Sequence, residues 1–269
     1  MTTMDLLKRN LAPILPEAWK QIDEEARRVL KLNLAGRKLV DFSGPHGWRF
    51  AAVSTGALDP LSDEPMLGVS AGLRRVQPIV ELRAPFRLSI PDLDAVARGK
   101  SPDLSAVVKA AEKIARVEDS AVFNGFKSGR IGGIIESSPH APIQVTSTAT
   151  WPQAIAQAKE VLRTVGVGGP FALALGPKAY DELSAGSEDG YPLLKRIEKT
   201  LIDVPIVWAP TISGAVLMST RGGDFELTVG QDFSIGFAYV EKQELELYLA
   251  ESFTFRVTEP AAAIALRRA

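Results

Sequence analysis

The most regular alternation of apolar and polar positions lies between Ser219 and Val257. Phe225, Leu227 and Val229 take every second place, followed by Phe233, Ile235, Phe237 and Tyr239. Leu245, Leu247 and Leu249 come next, then Phe253, Phe255 and Val257. A period of two gives each of four short strands one apolar face. The breaks fall at Gly230-Gln231-Asp232, at Glu241-Lys242-Gln243 and at a bend near Glu251. None is long enough for a parallel crossover, so strand neighbours here are expected to be antiparallel. Glu244, Glu246 and Tyr248 give one strand a wet, acidic back. Asp232, Ser234, Gly236 and Ala238 give another a back of small residues, against which something can press closely.

Upstream the period lengthens. Leu6, Leu7 and Leu11 have helical spacing, but a helix this short is marginal alone and must dock on something. Pro13 and Pro16 separate it from a helix over residues 17–35. The apolar stripe of that helix is Trp19, Ile22, Ala26, Val29, Leu30 and Leu34. Its acids gather near the start and Arg27, Arg28 and Lys31 near the end, as the helix dipole favours. Residues 37–42 read as a strand, 44–47 as a turn and 48–55 as a second extended piece. Residues 56–72 are rich in Gly, Pro, Ser and Asp, and the strand of residues 76–88 returns from them. The two extended pieces form one long hairpin, an arm that needs another molecule to lie on, because a lone hairpin is barely stable in water.

A short helix over 90–99 precedes the longest one, over 101–127, with Val107, Val108, Ala111, Ile114 and Val122 on its face. After a glycine-rich stretch the pattern mixes helices at 152–165, 178–183 and 191–201 with strands at 170–175 and 206–209. Residues 185–190 read as an exposed loop. No repeat or low-complexity tract is present.

Composition narrows the function. Of 269 residues, 46% are hydrophobic and 23% charged, an ordinary globular profile. A net charge of −1 gives no electrostatic case for nucleic acid as a partner. With no cysteine there is no disulfide framework and no thiolate metal site. No run of 18 apolar residues exists, and the first residues lack the apolar core of a signal peptide, so a cytoplasmic protein is expected. Candidate chemistry is sparse. Gly68-Val69-Ser70-Ala71-Gly72 matches a nucleophile elbow, but a proline-rich loop precedes it and a strand follows, where the motif needs a strand and then a helix. His46 and His140 sit in turns without a second ligand at metal spacing. Glu118 and Asp119 are adjacent on a helix and point about 100° apart, so a solvated face or interface ion pairs is the expected reading. No metal, no cofactor and no catalysis are expected.

The C-terminal run R-G-G-D-F with G-Q-D-F-S-I-G-F resembles the signature of encapsulins, bacterial shell proteins once grouped as linocin-type bacteriocins. Further motifs follow in family order: L-L-K-R-N-L-A-P, L-A-G-R-K-L-V-D-F, V-E-L-R-A-P-F-R-L, V-E-D-S-A-V-F-N-G-F, Y-P-L-L-K-R-I and V-W-A-P. The resemblance covers essentially the whole chain. It implies an α+β fold of the HK97-like phage capsid type, with a peripheral domain, an axial domain and an extended loop. Residues 1–47 would be the interior arm, helix and first strand, and 48–88 the extended loop. Residues 89–132 would carry the spine helix, 133–220 the axial domain and 221–269 the closing sheet of the peripheral domain.

The implied function is a self-assembling homo-oligomeric shell of roughly 60 copies with icosahedral closure. It would enclose cargo enzymes, ferritin-like iron-storage proteins or dye-decolorising peroxidases, through their C-terminal targeting peptides. A phage-type major capsid protein and a bacteriocin or protease are the alternatives. By the resemblance, the cargo peptide would lie against Leu7, Leu11, Ile235 and Phe237, with Arg37 and Asp41 holding its polar groups. Ser184, Ser187, Glu188, Asp189, Gly190 and Tyr191 would form a five-fold pore loop. Where some relatives carry an aromatic residue for a flavin, this chain has Ser89-Ile90-Pro91-Asp92, so no flavin is expected.

Overall fold

A computed structural model describes residues 6–62, 65–188 and 190–268, with the side chain of Glu188 outside the description. In chain order the elements begin with helix α1 (Pro16–Asn33) and strands β1 (Asp41–Ser43), β2 (Ala52–Pro60), β3 (Gly72–Pro78) and β4 (Val80–Ser89). Helices α2 (Ile90–Asp94), α3 (Ser105–Asn124) and the single turn α4 (Ile134–Ser137) follow, then β5 (Ile143–Val145), α5 (Trp151–Thr164), β6 (Phe171–Leu175) and α6 (Pro177–Ala185). Next come β7 (Ser187–Glu188), β8 (Tyr191–Pro192), α7 (Leu193–Thr200), β9 (Val207–Trp208) and β10 (Ala215–Ser219). The chain closes with β11 (Phe225–Val229), β12 (Ser234–Glu241), β13 (Glu244–Val257) and β14 (Ala263–Arg268).

The organising element is β13. It is one strand of 14 residues, not two strands with a bend at Glu251. Positions 245, 247, 249, 251, 253 and 255 share one face, so Glu251 continues the apolar row rather than interrupting it. β4 covers one edge of β13, from Glu244 opposite Ser89 to Phe253 opposite Val80. On the other edge β12 and β11 lie end to end, both antiparallel to β13. β1 extends the sheet as a parallel neighbour of β11. The small back of β12 is used as its sequence suggests. Gly236 stands opposite Tyr248, whose ring occupies the space a Cβ would need, and Arg83 lies 4.3 Å over that ring. The acidic back of β13 is answered from β4 by Arg87, 3.0 Å from Glu246 and 3.3 Å from Glu244.

α1 and α3 lie on this sheet. Ile22, Val29, Val107 and Ile114 meet Leu245, Leu247 and Leu249 in one apolar core. A second sheet runs β5-β14-β10-β6-β9, with its core continuous through Phe123, Phe253 and Phe255. β14, counted above with the sheet of residues 221–269, pairs with β10 and β5 in this second sheet. Its run Ala263-Ile264-Ala265-Leu266 is buried throughout, so it carries no alternation to reveal it. β2 and β3 pair with each other as an arm, and Leu58, Leu67, Leu73 and Val76 stand exposed along it, but the return strand expected over 76–88 is split: its start belongs to β3, while β4 leaves the hairpin to pair with β13, whose apolar row its own alternation matches.

Two N-terminal elements also differ. The N-terminal leucines form no α-helix among the described residues. Lys8 is in the left-handed region at φ 52°, and only a 3-10 turn, Arg9–Leu11, follows. The segment is tied down otherwise: Phe237 N–H donates to the Leu7 carbonyl at 2.8 Å. Arg9 forks onto Asp23 at 3.1 and 2.7 Å. Residues 37–42 also start as a 3-10 turn, Gly36–Lys38, with the strand only at Asp41–Ser43. The cause is Asp119, whose carboxylate accepts the N–H groups of Ala35 and Gly36, each at 2.9 Å, and so fixes a turn there.

Candidate functional site

A cavity of about 590 Å³ opens between the N-terminal segment, α1 and β12. Helix periodicity builds one side. Ala26 and Leu30 on α1 and Leu34 at its C-cap, four apart, line it with apolar surface, as do Leu7, Ile235 and Leu249. The adjacent stripe, Asp23, Arg27 and Lys31, is charged. Asp23 is taken by Arg9, and Lys38 interacts electrostatically with Asp119, whereas Arg27 and Lys31 have no carboxylate ion pair among the described residues. The cavity therefore joins an apolar lining to unmatched positive charge.

Of the six residues assigned above to a peptide site, three line this cavity: Leu7, Arg37 and Ile235. Phe237 is half-buried in the core beside it, tied to Leu7 through the backbone. Leu11 is 64% exposed and Asp41 lies elsewhere, its carboxylate accepting the Gly223 N–H at 2.6 Å.

Arg37 itself is committed inward. Its Nη2 is 2.7 Å from Glu118 and also bonds Glu251, while Nη1 is 2.9 Å from Asp232. Its plane packs 4.6 Å from the Phe233 ring. Glu118 and Glu251 are wholly buried, and Glu251 Oε2 has no partner. One guanidinium thus answers three carboxylates. Burial first, then the neighbouring Glu118 carboxylate, pushes the Glu251 carboxyl well above its ordinary value. Asp119 is pushed up to about 7, burial outweighing its two backbone N–H bonds. The expected solvated face or interface ion pairs for Glu118 and Asp119 is corrected: both are buried at the junction of α3 with the turn after α1, where Glu118 is ion-paired within the chain to Arg37 and Asp119 binds backbone N–H groups. Arg27, Lys31, Asp232 and Glu251 were missed as a group. The signals available were the four-residue spacing beside the apolar stripe and the parity of Glu251.

The loop assigned to a pore is a small hairpin. Ser187 pairs with Pro192 and Glu188 with Tyr191, and Gly190 turns it at φ 79°. Ser184, at the end of α6, is exposed, as is Tyr191. Asp189 lies outside the described residues. Ser70 sits at the exposed arm tip, while His140 bonds the Ala261 carbonyl at 2.9 Å in the body, so no nucleophile pair assembles there. Among the described residues no group of three or more His, Cys, Asp or Glu could hold a metal, and no helix is long and apolar enough to cross a membrane.

Comparison with known proteins decides what carries this geometry. The family described as "Encapsulating protein for peroxidase" matches residues 4–254. A type 1 encapsulin shell protein of Rhodospirillum rubrum is 47% identical, covering 98% of this chain and 97% of the relative. The chain belongs to the encapsulin shell-protein family. A virus-like particle of Pyrococcus furiosus superposes with TM-score 0.64 at 17% identity, over 91% of this chain and 98% of that one. The capsid of Myoviridae phage XM1 gives 0.57 at 11% identity, over 86% and 90%. The encapsulin chain therefore has the HK97-like capsid fold. Its relatives are named shell proteins, which supports a structural role and not a catalytic one.

Proposed function

We propose that this encapsulin builds a closed, roughly 60-copy icosahedral shell in the cytoplasm and loads a peroxidase or ferritin-like enzyme by capturing its C-terminal peptide. In this reading the sheet centred on β13, with α1 and α3, is the peripheral domain. The second sheet is the axial domain, and the β2–β3 arm is the extended loop. The observation that carries the loading step is the cavity beside α1, with apolar walls, unmatched cations and a lid made from the N-terminal segment. Among its ties are the Arg9–Asp23 ion pair, Arg9 packed 3.9 Å over the Trp19 ring and the Phe237–Leu7 backbone hydrogen bond, so opening the lid means breaking a few surface contacts of the segment ahead of Ala12.

Burying three or four apolar side chains gains roughly 1.5–3 kcal/mol each, and ordering a free tail costs about 2–5 kcal/mol. The difference suits affinity on the order of micromolar, raised when an oligomeric cargo presents several tails. A C-terminal tail ends in a carboxylate, and Arg27, Lys31 and Lys38 supply its counter-charge. Co-expression with a peptide-tagged reporter is the test. Leu7→Asp and Lys31→Glu should give normal but empty shells, whereas Leu11→Asp, outside the cavity, should load as the parent does. Full shells from both Leu7→Asp and Lys31→Glu would place docking elsewhere.

We further propose that the β7–β8 hairpin repeats around the five-fold axis, so that Glu188 and Asp189 make a negative rim that focuses cations. Converting both to lysine should slow iron entry to a ferritin-like cargo, more at low salt than at high. Equal uptake at both salts would route ions through another opening.

A further inference from the structure

Two cations of the groove beside α1 are backed by buried acids. Arg37 lines the groove and reaches inward to Glu118 and Glu251, neither of which has any exposure. Lys38, next in the chain, also lines it and interacts with the buried carboxyl of Asp119. We propose that Glu251 and Asp119 make the groove a proton-controlled site, which holds a peptide's terminal carboxylate while they are neutral and releases it once they are charged, a role that rests on this groove being where the peptide docks.

Three carboxylates share the Arg37 guanidinium: Glu118 from α3, Glu251 from β13 and Asp232 from the loop before β12. β4 places only Leu82 opposite Glu251, so no further cation reaches it from that strand. Glu251 Oε2 is buried and has no partner. A buried charge that is not fully paired is costly, so the cluster favours a proton on Glu251, whose carboxyl stands well above its ordinary value. Asp119 faces Glu118 on its own helix, and Lys38 with the N–H groups of Ala35 and Gly36 across the turn. Burial outweighs these bonds and pushes it up to about 7.

Each proton lost adds a negative charge directly behind a groove cation. Ionised Glu251 draws on Arg37, and ionised Asp119 draws on Lys38. The other lining acids are already engaged, Asp23 by Arg9 and Asp232 by Arg37. Neither histidine lines the groove. A terminal carboxylate, with an ordinary value of about 3.3–3.7, is charged throughout the neutral range, so only the wall changes. Docking therefore takes up protons and weakens as pH rises.

The test is titration of the purified protein, in the assembly it forms, with an N-acetylated hexapeptide of alternating glycine and leucine, as free acid and as C-terminal amide, at pH 5 and pH 9 and one ionic strength. The acid should bind about tenfold more weakly at pH 9, while the amide, which lacks the charge, should change by less than about twofold. Glu251→Gln and Asp119→Asn each hold one carboxyl neutral, and each should cut the acid's change to about threefold. Either variant suffices if the other fails to fold. Equal pH dependence for acid and amide, or an undiminished change in the variants, would overturn the proposal. Anilinonaphthalene sulfonate, an apolar anion charged at both pH values, serves as a second probe and should follow the same profile and lose it in the same variants. Dye that does so without saturable peptide binding would remove the docking reading and keep the proton control. Peptide binding that ignores pH would keep the docking reading and remove the proton control. Dye and peptide that both fail would remove both.

Discussion

Replacing Arg37 by methionine is expected to remove about 3–5 kcal/mol of folding stability at neutral pH, the usual cost of leaving buried charge without its partner. The side chain is only 17% exposed, and two of its three carboxylate partners have no exposure at all. The substitution keeps most of the bulk against Phe233, so the loss isolates the charge. The pH dependence has a definite sign. The Glu251 carboxyl is raised by burial and by Glu118, so the native state holds a proton there that the unfolded chain releases near its ordinary value of 4.5. Its contribution is full below that value and is lost as pH rises through the raised native value. Asp119 acts in the same direction between its ordinary 3.8 and about 7. Without Arg37 more protons must be held, so the deficit against the parent protein should be larger at pH 8 than at pH 5. Urea unfolding at both pH values measures it. A loss under about 1 kcal/mol, within the range of ordinary surface changes, or an equal loss at both pH values, would show that the cluster is solvated. Arg37→Glu, which adds a fourth carboxylate, should fail to fold rather than yield empty shells.

Deleting residues 56–72 should leave a folded subunit that does not close. Neither apolar core draws on residues 52–78, so unfolding of the isolated subunit should change by less than about 1 kcal/mol. The arm is anchored at its base, where Ile79 N–H donates to the Ala51 carbonyl at 2.9 Å and Arg256 reaches the Ser54 carbonyl at 2.9 Å. Beyond that base it is a two-stranded ribbon, with Leu67 94% exposed at the tip. Such a ribbon has too little of its own to hold it, and its apolar residues suit an interface with another copy. Native mass spectrometry reads the outcome. Intact large assemblies from the deletion variant would remove the arm from the account of assembly.

What the residues revealed followed from period. The three-to-four spacing of Ile22, Ala26, Val29 and Leu30 placed α1, and the two-residue spacing of Phe225 to Val257 placed the first sheet. What stayed hidden involved partners distant in sequence. Glu118 and Asp119 look solvated on a helix drawn alone. Only folding brings Arg37, 81 residues away, onto Glu118 and places Ala35 and Gly36 N–H on Asp119. Glu251 looked like a break because a charge in an apolar row usually ends it, yet its unbroken parity already put it on the core face. β14 escaped because burial on both faces erases alternation. For the groove, Leu7 and Ile235 were legible through the family resemblance. The cations Arg27 and Lys31 were not, since an unmatched charge is recognised only when all possible partners are in place.

The most direct test of the central claim is electron cryomicroscopy of this protein co-expressed with a reporter carrying the C-terminal peptide. Closed particles of one size are expected, with a mass that is a whole multiple of the 29.0 kDa subunit plus cargo, and protein density against the inner wall beside α1. Open sheets, small oligomers, or closed particles filled with nucleic acid instead of the reporter would contradict it.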